Sequence, residues 1–488
     1  MKTRLLAILL CLVMTVSVLT ACGSEKEKTY LGSDTGTGNA GSDETFAYVD
    51  EYVADLAKNF TYNGDTFSVV GKEGDHCEEP EITGNLENDA LYNRMREIEE
   101  TFGITYTYKA ISGEDRPDGA PSMGVYEDVQ KDVMSGLGDY DLAHVNIMVG
   151  GKEMLADNLI QPVEEFSAFD FGQPWWINDI QGQFGIGGHL YYLTGKIVTG
   201  HYSDPSCILF NKRIAEDYNL PDIYEIVKAG DWTFDKLIEV SSAVPANADV
   251  YRIEIGNYES GLAFYFGAGF SLSDVDEEGN ISLPTSLSSD KVDFIDKVAA
   301  AIDDQNAYYV HQRNTEPPSE EVKFEEGASL FSTQGMGAVS ELREEDIEFG
   351  VLPMPKRDAS QKNYISYSQS MGVCCYVISR VVKDPEGSAA IAEAMAALSE
   401  KYLEPAYYEK ALKGRGTYDN ESREMLDLIY RTKKVDYAAT YQWGDVWNLI
   451  DDAITGMTDN YVSGYASSSK FGSLKVKQLL ASIAKSDN

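Results

Sequence analysis

Apolar positions in the first part of the chain alternate between short β-rich runs and stretches with a helical period. The first helical stretch places Leu91, Met95, Ile98 and Phe102 at steps of four, three and four, which is one face of a helix. Strands that alternate with helices over short connections predict a parallel sheet covered by helices. The predicted strands are 67–70, 104–110 and 141–145, and the predicted helices lie around 91–102, 125–137 and 147–156.

A second region repeats this mixture of strands and helices without any internal repeat. Thr233 is a plausible N-cap for a helix that follows it, and 274–283 has the pattern of a hairpin. From Pro385 onward the chain is predicted to be mainly helical. Further strands are predicted at 190–193, 207–210, 349–352 and 372–378, and further helices at 213–218 and 292–302, with an apolar stretch at 258–270.

The N-terminus has the pattern of an export signal. Lys2 and Arg4 precede an apolar run from Leu5 to Leu19, which is too short to span a membrane comfortably. Leu19-Thr20-Ala21-Cys22 resembles the bacterial lipobox, in which the cysteine becomes the lipidated mature N-terminus. We therefore expect a signal peptide over 1–21, a lipid on Cys22 and a polar tether over 22–45, which together anchor the chain to the extracytoplasmic face of the cell membrane. An ordinary signal peptide with a chance cysteine is the alternative.

Composition narrows the choice of partners. The 488 residues carry 80 acidic and 40 basic side chains, a net charge of −40, and this field disfavours nucleic acid as a partner. A solvated, self-repelling surface explains the charge, and attraction of a cationic ligand is the alternative. Beyond the N-terminus the cysteines are too few for a disulfide framework. Cys374 and Cys375 are expected to be small buried residues of a strand, and a Cys77–Cys207 bridge is left open.

Several short strings, in this order and spacing, resemble the extracellular solute-binding proteins of ABC importers, of the maltose-binding-protein-like, carbohydrate-associated type. Each string is weak by itself, and the resemblance runs from about 67 to 454. The strings are Tyr140-Asp141-Leu142, Leu159-Ile160-Gln161-Pro162-Val163, Pro174-Trp175-Trp176, Ile208-Leu209-Phe210-Asn211-Lys212, Gly230-Asp231-Trp232-Thr233-Phe234, Phe324-Glu325-Glu326-Gly327 and Phe349-Gly350-Val351-Leu352-Pro353.

The resemblance implies an α/β, periplasmic-binding-protein-like fold with two lobes, discontinuous chain crossovers and a ligand cleft between the lobes. It implies crossovers near 199–205 and 351–355, and a hinge that closes around ligand. It also implies a monomer that delivers a small solute, most simply an oligosaccharide, to the permease subunits of an ABC transporter. The expected division is lobe 1 at 46–200 and 356–435, lobe 2 at 205–350 and 436–465, and a C-terminal helix at 466–488.

A sugar site needs aromatic plates and planar hydrogen-bonding groups, because sugars present apolar ring faces and a rim of hydroxyls. Trp443 and Trp447 are spaced for one helix face, and the family's stacking aromatic falls near them, with Trp447 the better match; two core aromatics are the alternative. For Trp175, Trp176 and Trp232 core packing is favoured. The polar and tyrosine candidates at strand ends and crossovers are Asn146, Tyr202, Asp204, Gln334, Tyr367 and Gln369.

Catalytic and metal-binding patterns are missing from the sequence. It has no His-Glu-x-x-His, no Gly-x-Ser-x-Gly and no phosphate-binding glycine loop, and its five histidines are scattered. The run from Asp274 to Gly279 begins like a calcium loop but has Thr285 at the twelfth position, which favours a hairpin turn. We therefore expect a binding protein, not an enzyme, with no cofactor and no metal. A binder of peptides or polyamines, and a glycan-active lipoprotein enzyme at the cell surface, are the alternatives.

Overall fold

The fold is known from a computed structural model. The predicted signal peptide, Cys22, most of the predicted tether and Cys77 lie outside the residues that it describes, so the expectations for them stay predictions. The end of the predicted tether, 43–45, already belongs to the first helix. The described residues are 43–74, 81–112, 122–176, 184–256, 259–276, 279–311, 323–342, 347–412 and 420–486.

The first sheet has four strands in the order β14 (Cys374–Val377), β3 (Leu142–Asn146), β1 (Thr66–Lys72) and β2 (Thr105–Ile111). Its strand β1 pairs in parallel with β2 and β3, as the alternating pattern predicts, and Phe67 lies opposite Tyr106. Only β14, which comes from far along the chain, is antiparallel, with Cys375 opposite Val145. Both faces of this sheet are covered, because four consecutive residues of β3, 142–145, are buried.

The second sheet has five strands in the order β10-β7-β11-β6-β12. Strand β6 runs antiparallel to its neighbours β11 and β12, while β11 and β10 are parallel to β7. Three small two-stranded pairings complete the β structure, including the hairpin predicted at 274–283. The strands are β1 Thr66–Lys72, β2 Thr105–Ile111, β3 Leu142–Asn146, β4 Gly185–Ile186, β5 His189–Leu190, β6 Ser206–Asn211, β7 Tyr251–Ile255, β8 Asp274–Val275, β9 Ile281–Ser282, β10 Tyr308–Val310, β11 Ser329–Gly335, β12 Phe349–Pro353, β13 Ser366–Tyr367, β14 Cys374–Val377 and β15 Lys433–Lys434.

The helices begin and end at residues with ordinary capping chemistry. Thr233 accepts a hydrogen bond from the backbone of Lys236, as predicted, and Gly136 ends its helix with a φ of 68°. No helix in the described part of the chain is both long and apolar enough to cross a membrane. The helices are α1 Asp43–Asn59, α2 Leu86–Phe102, α3 Gly124–Ser135, α4 Gly151–Ala156, α5 Gly200–Ser203, α6 Lys212–Asp217, α7 Ile223–Lys228, α8 Phe234–Ser241, α9 Ser260–Gly267, α10 Ser289–Ala301, α11 Met336–Leu342, α12 Pro385–Ser399, α13 Leu403–Leu412, α14 Asn420–Arg431, α15 Tyr437–Thr440, α16 Val446–Ile454 and α17 Tyr461–Ser486.

The chain passes between the two sheets through 199–205 and through 366–373. The first passage, 199–205, leads through α5 into β6. The second was expected near 351–355, but β12 lies wholly in the second sheet, and the chain returns to the first sheet only where 366–373 leads into β14. Residues 356–365, which the prediction assigned to lobe 1, pack on the second sheet's helices: the Tyr364 hydroxyl donates to the Val227 carbonyl at 3.0 Å.

Trp175 and Trp176 are both buried in the core of the first sheet, and Trp232 is buried in that of the second, as the packing interpretation predicts. The two neighbouring indoles share one acceptor. The Nε1 atoms of Trp175 and Trp176 donate to the two carboxylate oxygens of Glu393 at 2.9 Å and 2.5 Å. The Tyr52 hydroxyl adds a third donor at 2.9 Å, which ties α1 to α12. Burial raises the pKa of Glu393 to about 7 in spite of these donors.

Replacing Glu393 with Ala should therefore destabilise the fold strongly. Three buried donors would lose their acceptor at once, and each unsatisfied group costs about 1–3 kcal/mol. We expect the free energy of unfolding to fall by at least about 3 kcal/mol, measured by urea denaturation. Glu393→Gln keeps an acceptor oxygen and should lose clearly less. Equal losses in the two variants would contradict this account of the indole pair.

Candidate ligand-binding cleft

Both sheets present the ends of their parallel strands to the segments that connect them. In the first sheet β1, β2 and β3 end at Lys72, Ile111 and Asn146. In the second sheet β7, β11 and β12 end at Ile255, Gly335 and Pro353. Ligands of such sheets bind beyond the carboxyl ends of the strands. The two edges therefore define the candidate site.

Three chain segments meet between these edges and form the hinge, which consists of 199–205, 366–373 and 432–436. Pro205 pairs with Ser368, and the Gln369 backbone donates to the Asp204 carbonyl at 3.0 Å. The Ser368 backbone donates in turn to the Lys434 carbonyl at 2.7 Å. Continuous backbone pairing thus joins all three segments.

A buried ion pair lies in the hinge. Lys433 Nζ contacts Asp204 Oδ1 and donates to the His201 carbonyl at 3.1 Å, while the Ser368 hydroxyl donates to Asp204 Oδ2 at 2.5 Å. The side chains of Asp204 and Lys433 are only 3% and 4% exposed. Burial raises the pKa of Asp204 to about 6 against the opposing effect of Lys433, and it lowers the pKa of Lys433.

A cavity of about 190 Å³ opens at the edge of the first sheet. Its lining includes Lys72, Tyr126, His144, Asn146 and Cys374, so it combines an amine, an aromatic ring, an amide and a thiol. These groups come from β1, β3, β14 and the helix after β2, which is why residues far apart in sequence meet here.

A larger groove of about 450 Å³ lies between α4, the turn before α16 and the C-terminal helix α17. Trp443 lines it and stacks on Tyr441 with ring centroids 5.1 Å apart, and Lys152 Nζ donates to Gln442 Oε1 at 2.5 Å across it. The turn itself is strained, because Gln442 and Asp445 have φ values of 53° and 56°, which side chains rarely adopt. Such strain often accompanies functional sites.

Comparison with known proteins gives a clear result for the fold alone. No protein-family model matches the sequence, and no curated protein matches it in sequence. A sugar transporter of Rhizobium etli in an open conformation is similar in structure, with a TM-score of 0.59, 12% identity, and 83% of this chain and 99% of that chain covered. A cyclo/maltodextrin-binding protein complexed with maltotetraose has a TM-score of 0.56 at 15% identity, with 85% of this chain and 98% of that chain covered. The GacH receptor of Streptomyces glaucescens, solved unliganded and with acarbose, gives 0.53 at 12% identity, with 85% and 98% covered.

The chain has the periplasmic-binding-protein fold. The first sheet and its helices form lobe 1, the second sheet and its helices form lobe 2, and the edges described above face the cleft of such a fold. The lobes of this fold close about a hinge. The fold class predicted from the sequence is therefore confirmed, whereas the lobe boundaries given there stay a proposal.

Three predicted site residues of this binding-protein fold lie at the lobe edges. Asn146 ends β3 in the small cavity, where its Oδ1 accepts from the backbone of Met148 at 2.9 Å and so fixes the turn into α4. Gln334 lies next to the end of β11, and its Nε2 donates to the Ser332 hydroxyl at 3.0 Å. Gln369 is half-buried beside Gly335, where a Cβ on the glycine would approach Gln369 Oε1 to 2.8 Å.

Three other predicted residues are buried in the hinge. Tyr202 is 2% exposed and stacks on Tyr407 with centroids 4.4 Å apart. Tyr367 is fully buried, stacks on Phe266 at 4.2 Å and shares a 2.7 Å hydrogen bond with the Ser370 hydroxyl. Asp204 belongs to the buried ion pair. The sequence located these residues near the crossovers, but their side chains pack within the protein.

The two tryptophans predicted for stacking differ in their surroundings. Trp443 lines the larger groove and is 4% exposed, at the end of a ladder with Tyr437 and Tyr441. Trp447 is half-buried on α16 against the largest apolar cluster, and its Nε1 has no hydrogen-bond partner within the described residues. Of the two, only Trp443 lines the larger groove, and the preference for Trp447 drawn from the sequence stays a prediction.

Glu259 is a candidate that sequence reasoning missed. It precedes α9 at the edge of lobe 2, is 1% exposed, and accepts from the Ser370 backbone at 2.6 Å through Oε2. Burial raises its pKa to about 7, and its φ is 56°. Glu259 was missed because it lies within the apolar stretch 258–270. Its positive φ and its contact with the hinge have no recognisable pattern in the local sequence.

The hinge pair yields a stability prediction. Replacing Lys433 with Met would leave the Asp204 carboxylate buried without its counter-charge, and breaking a buried pair in this way costs about 3–5 kcal/mol. We expect a correspondingly lower free energy of unfolding for Lys433→Met, measured by urea denaturation. Adding Asp204→Asn removes the unpaired buried carboxylate and should restore part of the lost free energy of unfolding. A double variant no more stable than the single one would contradict the charge argument.

Proposed function

We propose that this chain is a lipid-anchored extracellular solute-binding protein that captures an oligosaccharide and delivers it to an ABC importer. The observation that carries the proposal is the fold, which matches nearly the full length of several sugar-binding proteins and 83–85% of this chain. A low identity of 12–15% leaves the ligand to be argued from the side chains of the cleft.

The chemistry of the larger groove suits a sugar. The stacked rings of Trp443 and Tyr441 line the groove and are each 4% exposed, so a sugar could contact them with its apolar ring face only through that exposed part. Lys152, Gln442 and Gln478 offer amine and amide groups for hydroxyls around it. Because α4 belongs to lobe 1 while the turn at Trp443 packs with α16 and lobe 2, a ligand here would contact both lobes and could favour their closure.

Residues at the lobe edges would complete the site. We propose Asn146, Gln334 and Gln369 as polar contacts, because each is half-buried: Asn146 and Gln334 at the ends of β3 and β11, and Gln369 in the hinge beside Gly335. Tyr202, Asp204 and Tyr367 are better explained as hinge residues, whose substitution would act on ligand affinity through lobe closure and not through contact.

Calorimetry against mono- and oligosaccharides, a peptide and a polyamine tests the ligand class. We expect an oligosaccharide to bind with a dissociation constant of about 1 μM or lower, which corresponds to roughly −8 kcal/mol. Trp443→Ala should weaken that binding at least about tenfold, because stacking would be lost. Binding of only the peptide or the polyamine would overturn the sugar assignment, and turnover of an oligosaccharide would overturn the binding role.

A second tryptophan serves as the matched control for Trp443. Trp176 is fully buried in the core of lobe 1, where its Nε1 donates to Glu393 of α12 and not to a residue of the cleft edges. Trp176→Phe should lower the melting temperature and leave affinity unchanged. If Trp443→Ala behaves in the same way, the ring is a core residue and the larger groove is not the sugar site.

The lipid anchor has its own test. If Cys22 carries the lipid, Cys22→Ser should move the protein from the membrane fraction to the medium, as seen by immunoblotting of both fractions. Without the diacyl group, the polar N-terminal segment has no acyl chain that inserts into the bilayer, so the anchoring is lost. A Cys22→Ser protein that stays with the membrane would show that something else holds it there.

A further inference from the structure

The C-terminal helix α17 has a charge opposite to that of the rest of the molecule. Between Tyr461 and Ser486 it contains four lysines and no acidic residue, in a chain with 80 acids and 40 bases. A stretch of 26 residues without an acid is unusual at this composition. All four lysines, Lys470, Lys475, Lys477 and Lys485, are exposed.

These lysines also lack the carboxylate partners that are common for lysines elsewhere in the molecule. Lys196 contacts Glu400 at 2.7 Å, and Lys401 contacts two carboxylates at 2.7 Å and 2.8 Å. None of the four α17 lysines makes an ion pair with any described residue; the close contact of Lys475 is the Phe471 ring, at 5.2 Å from its centroid. The helix therefore presents uncompensated positive charge.

Two large apolar side chains lie among these lysines. Phe471 is 57% exposed and Leu474 is 51% exposed, although α17 buries Val476, Leu479 and Ile483 on its opposite side. At 100° per residue, Leu474 and Phe471 fall in the middle of the exposed surface. Lys470 and Lys477 flank them on one side and Lys475 on the other. We call this surface, formed by Lys470, Phe471, Leu474, Lys475, Lys477 and Lys485, the basic face.

We propose that the basic face docks on an anionic phospholipid surface. The anionic headgroups of such a bilayer would attract the lysines, and Phe471 and Leu474 would insert at the boundary between headgroups and acyl chains. An acidic protein surface would satisfy the lysines and leave the two apolar side chains in contact with charge. The rest of the molecule is acidic and would be repelled, so only this side can approach such a membrane.

The position of α17 gives this docking a consequence for orientation. The helix packs against the turn at Trp443 and against α16 in lobe 2, and the Ser482 hydroxyl donates to the Ala156 carbonyl of lobe 1 at 3.3 Å. At 1.5 Å per residue it is about 39 Å long. A membrane bound along this face would therefore lie beside both lobes and fix the orientation of the cleft. Phe471 and Lys475 also line the larger groove, so a membrane bound along this face would cover that groove and would compete with a solute bound there.

Vesicle sedimentation tests the proposal with the chain that starts at residue 23, which keeps every described element and omits the apolar N-terminal run. Binding to phosphatidylcholine vesicles is compared with and without phosphatidylglycerol, at low and high salt. We expect binding only with phosphatidylglycerol, and weaker binding at high salt. K470E/K475E/K477E should lower the partition coefficient about 100-fold, and F471S/L474S about tenfold.

The matched control is K131E/K362E/K383E, which makes the same charge change at three exposed lysines elsewhere and should bind like the parent. Circular dichroism melting shows that each variant is folded. Equal binding of the parent to neutral and anionic vesicles would overturn the proposal. An acidic protein surface would then be the remaining candidate partner of the basic face. Equal losses in the two triple lysine variants would also overturn it, because net charge and not the basic face would then control binding.

Discussion

The ion pair between Asp204 and Lys433 holds together the three segments on which both lobes depend. Removing two charges from water is costly, and their attraction compensates only when the geometry is good and the remaining hydrogen-bonding groups have partners. Here Ser368 and the His201 carbonyl supply further hydrogen bonds. Because the carboxylate, the amine and the hydroxyl come from different segments, the charges can be buried only when all three segments are in register. The pair therefore specifies one arrangement of the hinge more than it adds stability.

This arrangement explains why several candidate residues do not face solvent. Tyr202 and Tyr367 lie within two residues of the hinge pairings, and their rings stack on Tyr407 and Phe266 instead of lining a cavity. Glu259 joins lobe 2 to the same region by accepting from the Ser370 backbone. A ligand in the cleft would therefore influence the hinge through side chains that it does not touch. Such coupling requires only that ligand contacts differ between the open and closed arrangements.

The sequence predicted the regular elements well, because strand and helix periods are local properties. The helix predicted around 91–102 is found at Leu86–Phe102, with its C-terminal end as predicted, and Thr233 caps its helix as predicted. The family resemblance placed the second passage between the sheets near 351–355, whereas the segment 366–373 that leads into β14 has mostly small polar residues and no local sequence signal. The choice between Trp443 and Trp447 stays a prediction. Helical spacing treats them alike, and only the turn with positive φ at Gln442 and Asp445 places Trp443 against the groove.

The contacts of α17 with both lobes limit how the lobes can move. Its first half packs on lobe 2, while Ile483 lies against Gly187 of lobe 1, where a side chain on the glycine would meet Ile483 Cγ2 at 3.0 Å. The Tyr437 hydroxyl makes a second link by donating to the Gly185 carbonyl at 2.7 Å. A hinge that carried lobe 1 away from lobe 2 on this side would break these contacts. The larger groove lies on the same side, so a ligand in the groove and the contacts of α17 would both favour the closed arrangement.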